Sequence, residues 1–349
     1  MKRLNPIQRV LLGLILATAI IAVVLPLMFF LANAFSNSTE IYDYPKTPLM
    51  SFTVTVDVSY DQVTEEYVIK YVDRRGDAKN AINSSSMLLI SNYFEQYFSV
   101  YRTPEELESQ FEEVLTSGET IRLTYAKNLW HNFKTFFFIT SKADEALINS
   151  IVVVIYTIII SLTLGSMSGY AIARYRFKGK DQINVFLLIV RMFPTVGISI
   201  PLAVILIRYN LFDTMLGLAI LYSLPNIALT AWITSSIFVG INRELEEASL
   251  VFGGNGFQTF MKITLPLALP AMAASSMYAF LTAWNDTISA LILTNDHPTL
   301  ALAVYQAIGD NTTNLQYAAA GSIILIIPAL IFTFVVRKYV NQMWGSVSV

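Results

Sequence analysis

Long apolar runs separated by short polar connections set the pattern of the chain, and one long polar stretch interrupts it. A helix crossing the hydrocarbon layer of a bilayer needs about 20 mostly apolar residues. Six runs reach that length: Val10–Phe35, Leu147–Ala173, Ile183–Ile207, Leu216–Phe238, Leu267–Leu293 and Ala318–Val336. The pattern predicts six transmembrane helices. The first run follows Lys2, Arg3 and Arg9, as the core of a secretory signal would, but it exceeds the ~7–15 residues of such a core. No convincing small-residue cleavage site follows it, so it is expected to remain as a signal-anchor helix.

The polar interruption, residues 36–146, is too long for a connecting loop and too patterned for disorder. In FTVTVDVSY, Val54, Val56, Val58 and Tyr60 alternate with Thr53, Thr55, Asp57 and Ser59, and EYVIKYV follows a polar turn, which predicts a β-hairpin. Further on, TPEELESQFEEVLTSG offers Thr103 as a cap, Pro104 at the first helical position, acids in the first turn and Gly118 as a stop. The expected fold class is therefore an all-α polytopic membrane protein carrying an inserted small α+β domain. Its expected parts are residues 1–35, the N-terminus and first transmembrane helix; residues 36–146, the inserted domain; and residues 147–349, a five-helix core.

Basic residues near span ends are retained on the cytoplasmic side. Lys2, Arg3 and Arg9 place the N-terminus inside, and alternate crossings then put Arg174, Arg176, Lys178, Lys180, Arg243, Lys262, Arg337 and Lys338 inside as well. The inserted domain is thereby extracellular and both termini cytoplasmic, in the plasma membrane. Three glycosylation-type triplets, starting at Asn37, Asn83 and Asn311, fall on the same outer side.

Composition agrees with a membrane protein: 54% of the 349 residues are hydrophobic, 14% are charged, and the mean hydropathy is +0.54. A net charge of −2 without a basic, aromatic-interleaved patch argues against a nucleic-acid partner. There is no cysteine, which removes disulfides and thiolate chemistry, and the two histidines, His131 and His297, lie too far apart in sequence to suggest a metal site.

One inside segment, ELEEASLVFGGNGFQTFMKITLP from Glu244 to Pro266, is charged and broken by glycine between two apolar runs. Arg243–Phe252 reads as an amphipathic helix capped by Asn242, with Leu245, Ala248, Ser249 and Phe252 on one stripe and acids in its first turns. Gly253-Gly254-Asn255-Gly256 ends it, and a second helix is expected from Phe257. On pattern alone the segment could be a surface helix at the lipid headgroups.

The spacing narrows that reading. Glu247-Ala248-Ser249, three residues, Gly253, nine residues, then Ile263-x-Leu265-Pro266 resembles the EAA signature of ABC importer permease subunits, E-A-A-x3-G-x9-I-x-L-P. NSIVVVIYTIIISLTLGSMSGYAIARYRFKG, MFPTVGISIPL and AWNDTISALIL are similar to spans of the sugar-importing, maltose-type (MalG-like) branch, so that the resemblance covers about Asn149 to Val340. Three positions depart from it. Ser249 replaces the second Ala, Phe252 stands where Asp is common, and the outer insertion is larger than that branch usually carries.

The resemblance implies a sugar or oligosaccharide importer in which residues 240–266 form a coupling helix docked on a separate ATPase. Glu247, Ala248, Ser249, Phe252, Gly253 and Phe257 are the expected coupling residues: a charge to pair, small residues for close approach, a glycine turn, and phenylalanines, Phe260 included, as anchors. Implied partners are a second homologous permease, two ATP-binding subunits and an extracellular solute-binding protein, with ATP-Mg held by the partners and no cofactor in this chain. No G-x4-G-K-S/T loop occurs, so the chain is not expected to be an enzyme. The alternatives are a membrane receptor, for which no long signalling region follows, and a secondary transporter, which leaves the EAA segment without a role.

Charges inside the apolar runs mark either a pathway or a packing clamp. Arg191 falls about 12 Å into the third run at 1.5 Å per residue, and Asp286 near the middle of the fifth. With Asn226, Trp284 and Asn285 they are the candidates for a translocation pathway; the other reading is an Arg–Asp or Arg–backbone clamp between helices. The inserted domain likewise has two readings, a docking element for the binding protein or a glycan-bearing cover.

Overall fold

A computed structural model describes residues 5–43, 49–139, 142–309 and 315–345. The chain separates into two compact units, Met1–Ser141 with Gln306–Ile323, and Lys142–Tyr305 with Ile324–Val349. The third glycosylation-type triplet, at Asn311, lies outside the described residues.

In the first unit, helix α1 (Pro6–Ala34) leaves residues such as Leu14, Ile20 and Val23 exposed along its length, as a lipid-facing span does. The predicted hairpin forms from β1 (Thr53–Asp61) and β2 (Glu66–Val72), with Val58 opposite Ile69. Two further strands, β3 (Ala78–Ser84) and β4 (Ile121–Ala126), complete an antiparallel sheet of order β3-β2-β1-β4. They escaped the sequence reading because AKNAINS does not alternate and IRLTYA, though alternating, is only six residues long. Val54, Val56, Val58, Tyr67, Ile69 and Tyr71 point to one face. Helix α2 (Met87–Tyr93) and α3 (Pro104–Ser117) cover it with Ile90, Leu107, Phe111 and Val114. The caps of α3 are those expected: Thr103 Oγ1 accepts from the Glu106 N–H at 3.3 Å, and Gly118 is left-handed at φ +68°.

Below this core, polar groups are buried beside the end of α1. Lys127 Nζ donates to Glu40 Oε2 at 2.6 Å, with both side chains at most 4% exposed. At the start of α4 (His131–Ile139), Asn132 Nδ2 donates to the Ala34 and Ser36 carbonyls. Asn37 is also buried, its Oδ1 accepting from the Thr39 and Glu40 N–H groups. A glycan cannot be carried there, which corrects the sequence reading of that triplet. A turn cap, not a modification site, explains the Asn.

In the second unit, α5 (Ala143–Arg174) packs along α8 (Met215–Gly240) through small residues. A Cβ on Gly165 would stand 2.5 Å from Thr230 Cβ, and one on Gly169 2.8 Å from the Ala231 carbonyl oxygen. Small residues permit such backbone approach in apolar surroundings, where packing rather than water expulsion holds helices together.

Two expected single spans are broken. The third run forms α6 (Lys180–Met192) and α7 (Thr195–Arg208), bent by 93°. Pro194 explains the break, because a proline pushes the residue before it, Phe193, out of helical conformation (ψ 130°). After α8 come α9 (Arg243–Val251), α10 (Gly256–Thr259), a π-helical turn and α11 (Leu265–Leu267), and then α12 (Leu269–Asn285), bent by 77° from the stretch Gly256–Leu267. The fifth run is thus not continuous either: Asp286 and Thr287 separate α12 from α13 (Ile288–Leu293). Helices α14 (Leu300–Gly309) and α15 (Leu315–Gly345) follow. Among the described residues four helices are long and apolar enough to span a membrane, or up to six if each bent pair counts as one span. The fold is a mostly helical, multi-pass membrane fold with a small antiparallel sheet near the N-terminus.

Loop ends in this unit are tied by charge. Asp213 accepts from the backbone N–H groups of Asn295, Asp296 and His297. Burial pushes its carboxyl up, but those three donors outweigh it and hold the group below its ordinary range.

Removing one member of a buried ion pair strands the other. Lys127→Met is therefore expected to destabilise the first unit by about 3–5 kcal/mol, and Lys127→Met with Glu40→Gln to recover more than half of the loss. Thermal unfolding of the purified chain measures both; an unchanged Tm for the single variant would remove the pair from the stability of this unit.

Candidate functional site

The glycine-broken segment is built as a hook. Asn242 Oδ1 accepts from the Glu244 N–H at 3.1 Å and starts α9. Gly253, at φ +85°, turns the chain, and the Gly254 N–H closes on the Ser249 carbonyl at 2.9 Å. A Cβ on Gly254 would lie 2.9 Å from that oxygen. Asn255 and Gln258 then cap α10 reciprocally, at 2.8 and 3.1 Å. Ser249 does more than stay small: its Oγ accepts from Thr259 Oγ1 at 2.9 Å, joining the two limbs of the hook.

What fixes the hook to the long helices is a group that sequence reasoning did not single out. Glu246 is buried, and its carboxylate receives Arg174 Nη2 at 2.7 Å, Arg174 Nε at 2.9 Å and Thr264 Oγ1 at 2.9 Å. Tyr170 Oη adds a longer bond at 3.3 Å. Arg174 also donates to the Ile241 carbonyl, and Arg243 to the Arg174 carbonyl, each at 3.1 Å. A guanidinium bound by both carboxylate oxygens fixes direction as well as distance. Three acids fall in two turns of α9, and only the reach of Arg174 from the end of α5 selects which one is buried.

Around this pair, Tyr170, Phe238 and Phe260 pack edge to face or tilted, with centroids 4.8–6.2 Å apart. Phe260 is thus an internal residue, which corrects its expected place among the outward anchors. The other residues expected for coupling stand outside: Glu247, Ala248 and Gly253 are exposed, Phe252 is 90% exposed, and Phe257 68%. Their inner side forms a shallow groove of about 470 Å³ edged by Leu245, Ala248, Phe252, Gly254, Lys262 and Ile263.

The intramembrane candidates do not form one cluster. Arg191 ends α6 and is exposed, its guanidinium 5.5 Å from the centroid of the Tyr278 ring. The residues counted to reach it lie in α6, which is continuous to Met192; the 93° bend follows it, so α6 and α7 do not share one axis and a count along α6 is not by itself a depth. No ion pair joins Arg191 to Asp286 among the described residues. Asp286 instead accepts from Tyr222 Oη at 2.9 Å and from the Ser289 N–H at 3.2 Å. It serves the break between α12 and α13, where the helix ladder is open and a backbone donor needs a partner. Asn226 is buried and donates to the Tyr222 carbonyl at 2.8 Å, in the turn that contains Pro225. Trp284 is buried against Phe280 and donates to the Leu325 carbonyl at 2.9 Å, a packing role on α15 rather than an open wall. Asn285 is exposed beside them.

A multi-pass helical fold with broken spans, a small-residue seam and a rigidly held EAA hook defines the membrane component of a transport system, not an enzyme. The chain belongs to the family of binding-protein-dependent transport system inner membrane components, whose model matches residues 146–344. In that family ATP hydrolysis resides in separate subunits. Relatives include the trehalose transport system permease protein SugB of Mycobacterium tuberculosis, 34% identical over 201 residues, 56% of this chain and 73% of that one. The trehalose/maltose permease protein MalG of Thermococcus litoralis is 28% identical over 196 residues, 55% of this chain and 70% of it. Among solved structures, a chain of a bacterial ABC transporter involved in the import of the acidic polysaccharide alginate shares the fold, with a TM-score of 0.57 at 17% identity. It covers 97% of this chain and 99% of its own. Coverage on that scale takes in most of residues 36–146, so a segment of this size is not foreign to the architecture.

Stability should register the Arg174–Glu246 pair as a unit. Arg174→Met and Glu246→Gln are each expected to cost about 3–5 kcal/mol, with a coupling of at least ~1 kcal/mol in the double-variant cycle. Additive losses in thermal unfolding would show that the two side chains do not hold each other.

Proposed function

We propose that this chain is one permease subunit of an ATP-driven ABC importer for a sugar or oligosaccharide. It works with a second homologous permease, two ATP-binding subunits and an extracellular solute-binding protein. The observation that carries the reading is the hook: at EAA spacing, a face bearing Phe252, Phe257 and Glu247 is left open to solvent, while its other side is clamped through Glu246 to Arg174. A surface helix at the headgroups has no use for such a clamp; a part that must transmit force does.

In this reading the bent pairs count as spans, giving six, with both termini and the hook in the cytoplasm and residues 36–146 outside. Trehalose and maltose, carried by the relatives named above, set the substrate class. ATP closure of the partner subunits draws the hooks of the two permeases together and opens the cavity outward, and hydrolysis returns it inward. Glu247 meets basic groups of the ATPase, Phe252 and Phe257 enter its pocket, and ATP-Mg stays with that subunit. Arg191, Asn285 and Asp286 supply polar groups to the translocation path, with Asn226 and Trp284 shaping it from behind. The outer segment receives the binding protein.

Phe252→Ala is expected to reduce co-purification of the ATPase subunit about tenfold, the loss of one anchor residue. Native mass spectrometry of the gently purified complex reads this and the stoichiometry together; full ATPase attachment in the variant would count against the docking face. Asp286→Asn keeps an acceptor for Tyr222 and removes the charge. It is expected to lower substrate-stimulated ATPase activity severalfold with assembly intact, whereas unchanged transport would take Asp286 out of the path.

A further inference from the structure

A cleft of about 660 Å³ lies wholly within the unit formed by Met1–Ser141 and Gln306–Ile323. That is the size of a small-molecule site. It is lined in part by Gln316, which is 1% exposed. Its Nε2 donates to Ser38 Oγ at 2.9 Å, but its Oε1 is buried with no hydrogen-bond partner among the described residues. A buried amide oxygen without a donor is unfavourable, and in a cleft the donor is supplied by water or by the hydroxyl of a ligand that displaces it.

A second wall is unusual in backbone. Phe94–Phe98 form a single π-helical turn, a form that recurs at functional sites. Phe94 and Phe98 are drawn into the core, and Glu95, Gln96 and Tyr97 are turned out into the cleft. Tyr97 is stiffened by stacking on Tyr93, centroids 4.4 Å apart and rings 20° from parallel. Asn92 and Tyr42 also line the cleft.

The chemistry of this lining is selective. Among the described residues it contains no Lys or Arg, one carboxylate and one histidine, His131, whose imidazole burial pushes below its ordinary range and so toward the neutral form. Phosphates, uronates and other anions therefore find no counter-charge here. Amides and hydroxyls that donate and accept at once match the hydroxyls of a sugar, which do the same. The negative face of an exposed tyrosine suits the C–H groups along one side of a pyranose ring.

We infer that this cleft is a subsite for a neutral oligosaccharide, with Tyr97 as its stacking platform, Gln316 Oε1 as a buried acceptor and Asn92, Gln96 and Glu95 as hydroxyl partners. The sugar it takes is one the importer carries, so the choice of ligand rests on the sugar-import reading. A subsite in this unit would hold part of the chain of a sugar that the permease is importing.

The test is saturation-transfer NMR on the assembled transporter in nanodiscs, without its binding protein, using maltose, trehalose and maltotriose as probes. Transport of the same three sugars is measured with the complete system. At least one transported sugar is expected to receive saturation at its pyranose protons, and Tyr97→Ala and Gln316→Leu are each expected to weaken its binding about tenfold. Tyr97 is partly exposed, so its variant carries the test if Gln316→Leu fails to assemble. Saturation of none of the transported sugars, or saturation that is the same in wild type and Tyr97→Ala, overturns the subsite and leaves the importer reading standing. Binding weakened by both variants in a protein that transports none of the three sugars supports the subsite and sinks the sugar-import reading. Loss of binding-protein stimulation in the variants, equal for all sugars and without direct sugar contact, would make the cleft a protein dock and overturn the proposal.

Discussion

The Arg174–Glu246 pair is the fixed point of the permease core. Burying two charges is unfavourable unless geometry and further hydrogen bonds recover the lost hydration, and here Thr264, Tyr170 and the Ile241 carbonyl supply them. The partners come from four elements: α5 brings Tyr170 and Arg174, α8 runs out at Ile241, and α9 and the π turn bring Glu246 and Thr264. The pair therefore does not merely add stability. It sets where the hook begins and which of its faces is left to another protein.

Polar groups elsewhere follow the same logic at smaller scale. At the break between α12 and α13 Asp286 stands in for the missing ladder, and Asp213 ties the loop ends beyond α7 and α13. An apolar medium does not tolerate free backbone donors and acceptors, so a broken span is possible only with such substitutes. Their presence explains why charged residues inside apolar runs are poor indicators of a pathway until the breaks are known.

Much of the architecture was legible from pattern. Apolar length located the long helices, alternation found the hairpin of β1 and β2, and Thr103, Gly118 and Asn242 marked helix ends by capping chemistry that is local. The EAA spacing found the hook because glycine and asparagine fix a turn by their own conformational freedom. Readings that needed a third dimension fared worse. A count along α6 gave Arg191 a position but not the direction of a run that bends at Pro194, the glycosylation-type triplet at Asn37 holds a buried turn through its oxygen, and Phe260 looked like its exposed neighbours Phe252 and Phe257. Glu246 was hidden among Glu244 and Glu247, since nothing in a run of acids says which one an arginine seventy residues earlier will reach.

The glycines of α5 carry a further consequence. With Gly165 and Gly169 set against Thr230 and the backbone of Ala231, helices α5 and α8 interlock so closely that neither can slide without a threonine side chain climbing over backbone. The two behave mechanically as one beam, with the hook welded to its end by the buried ion pair. A beam of low compliance passes displacement along without absorbing it, and the helical ladder of this unit is open elsewhere, at Phe193–Pro194 and at Asp286–Thr287. The stiffness of one seam thereby decides that the flexing of this protein happens somewhere else.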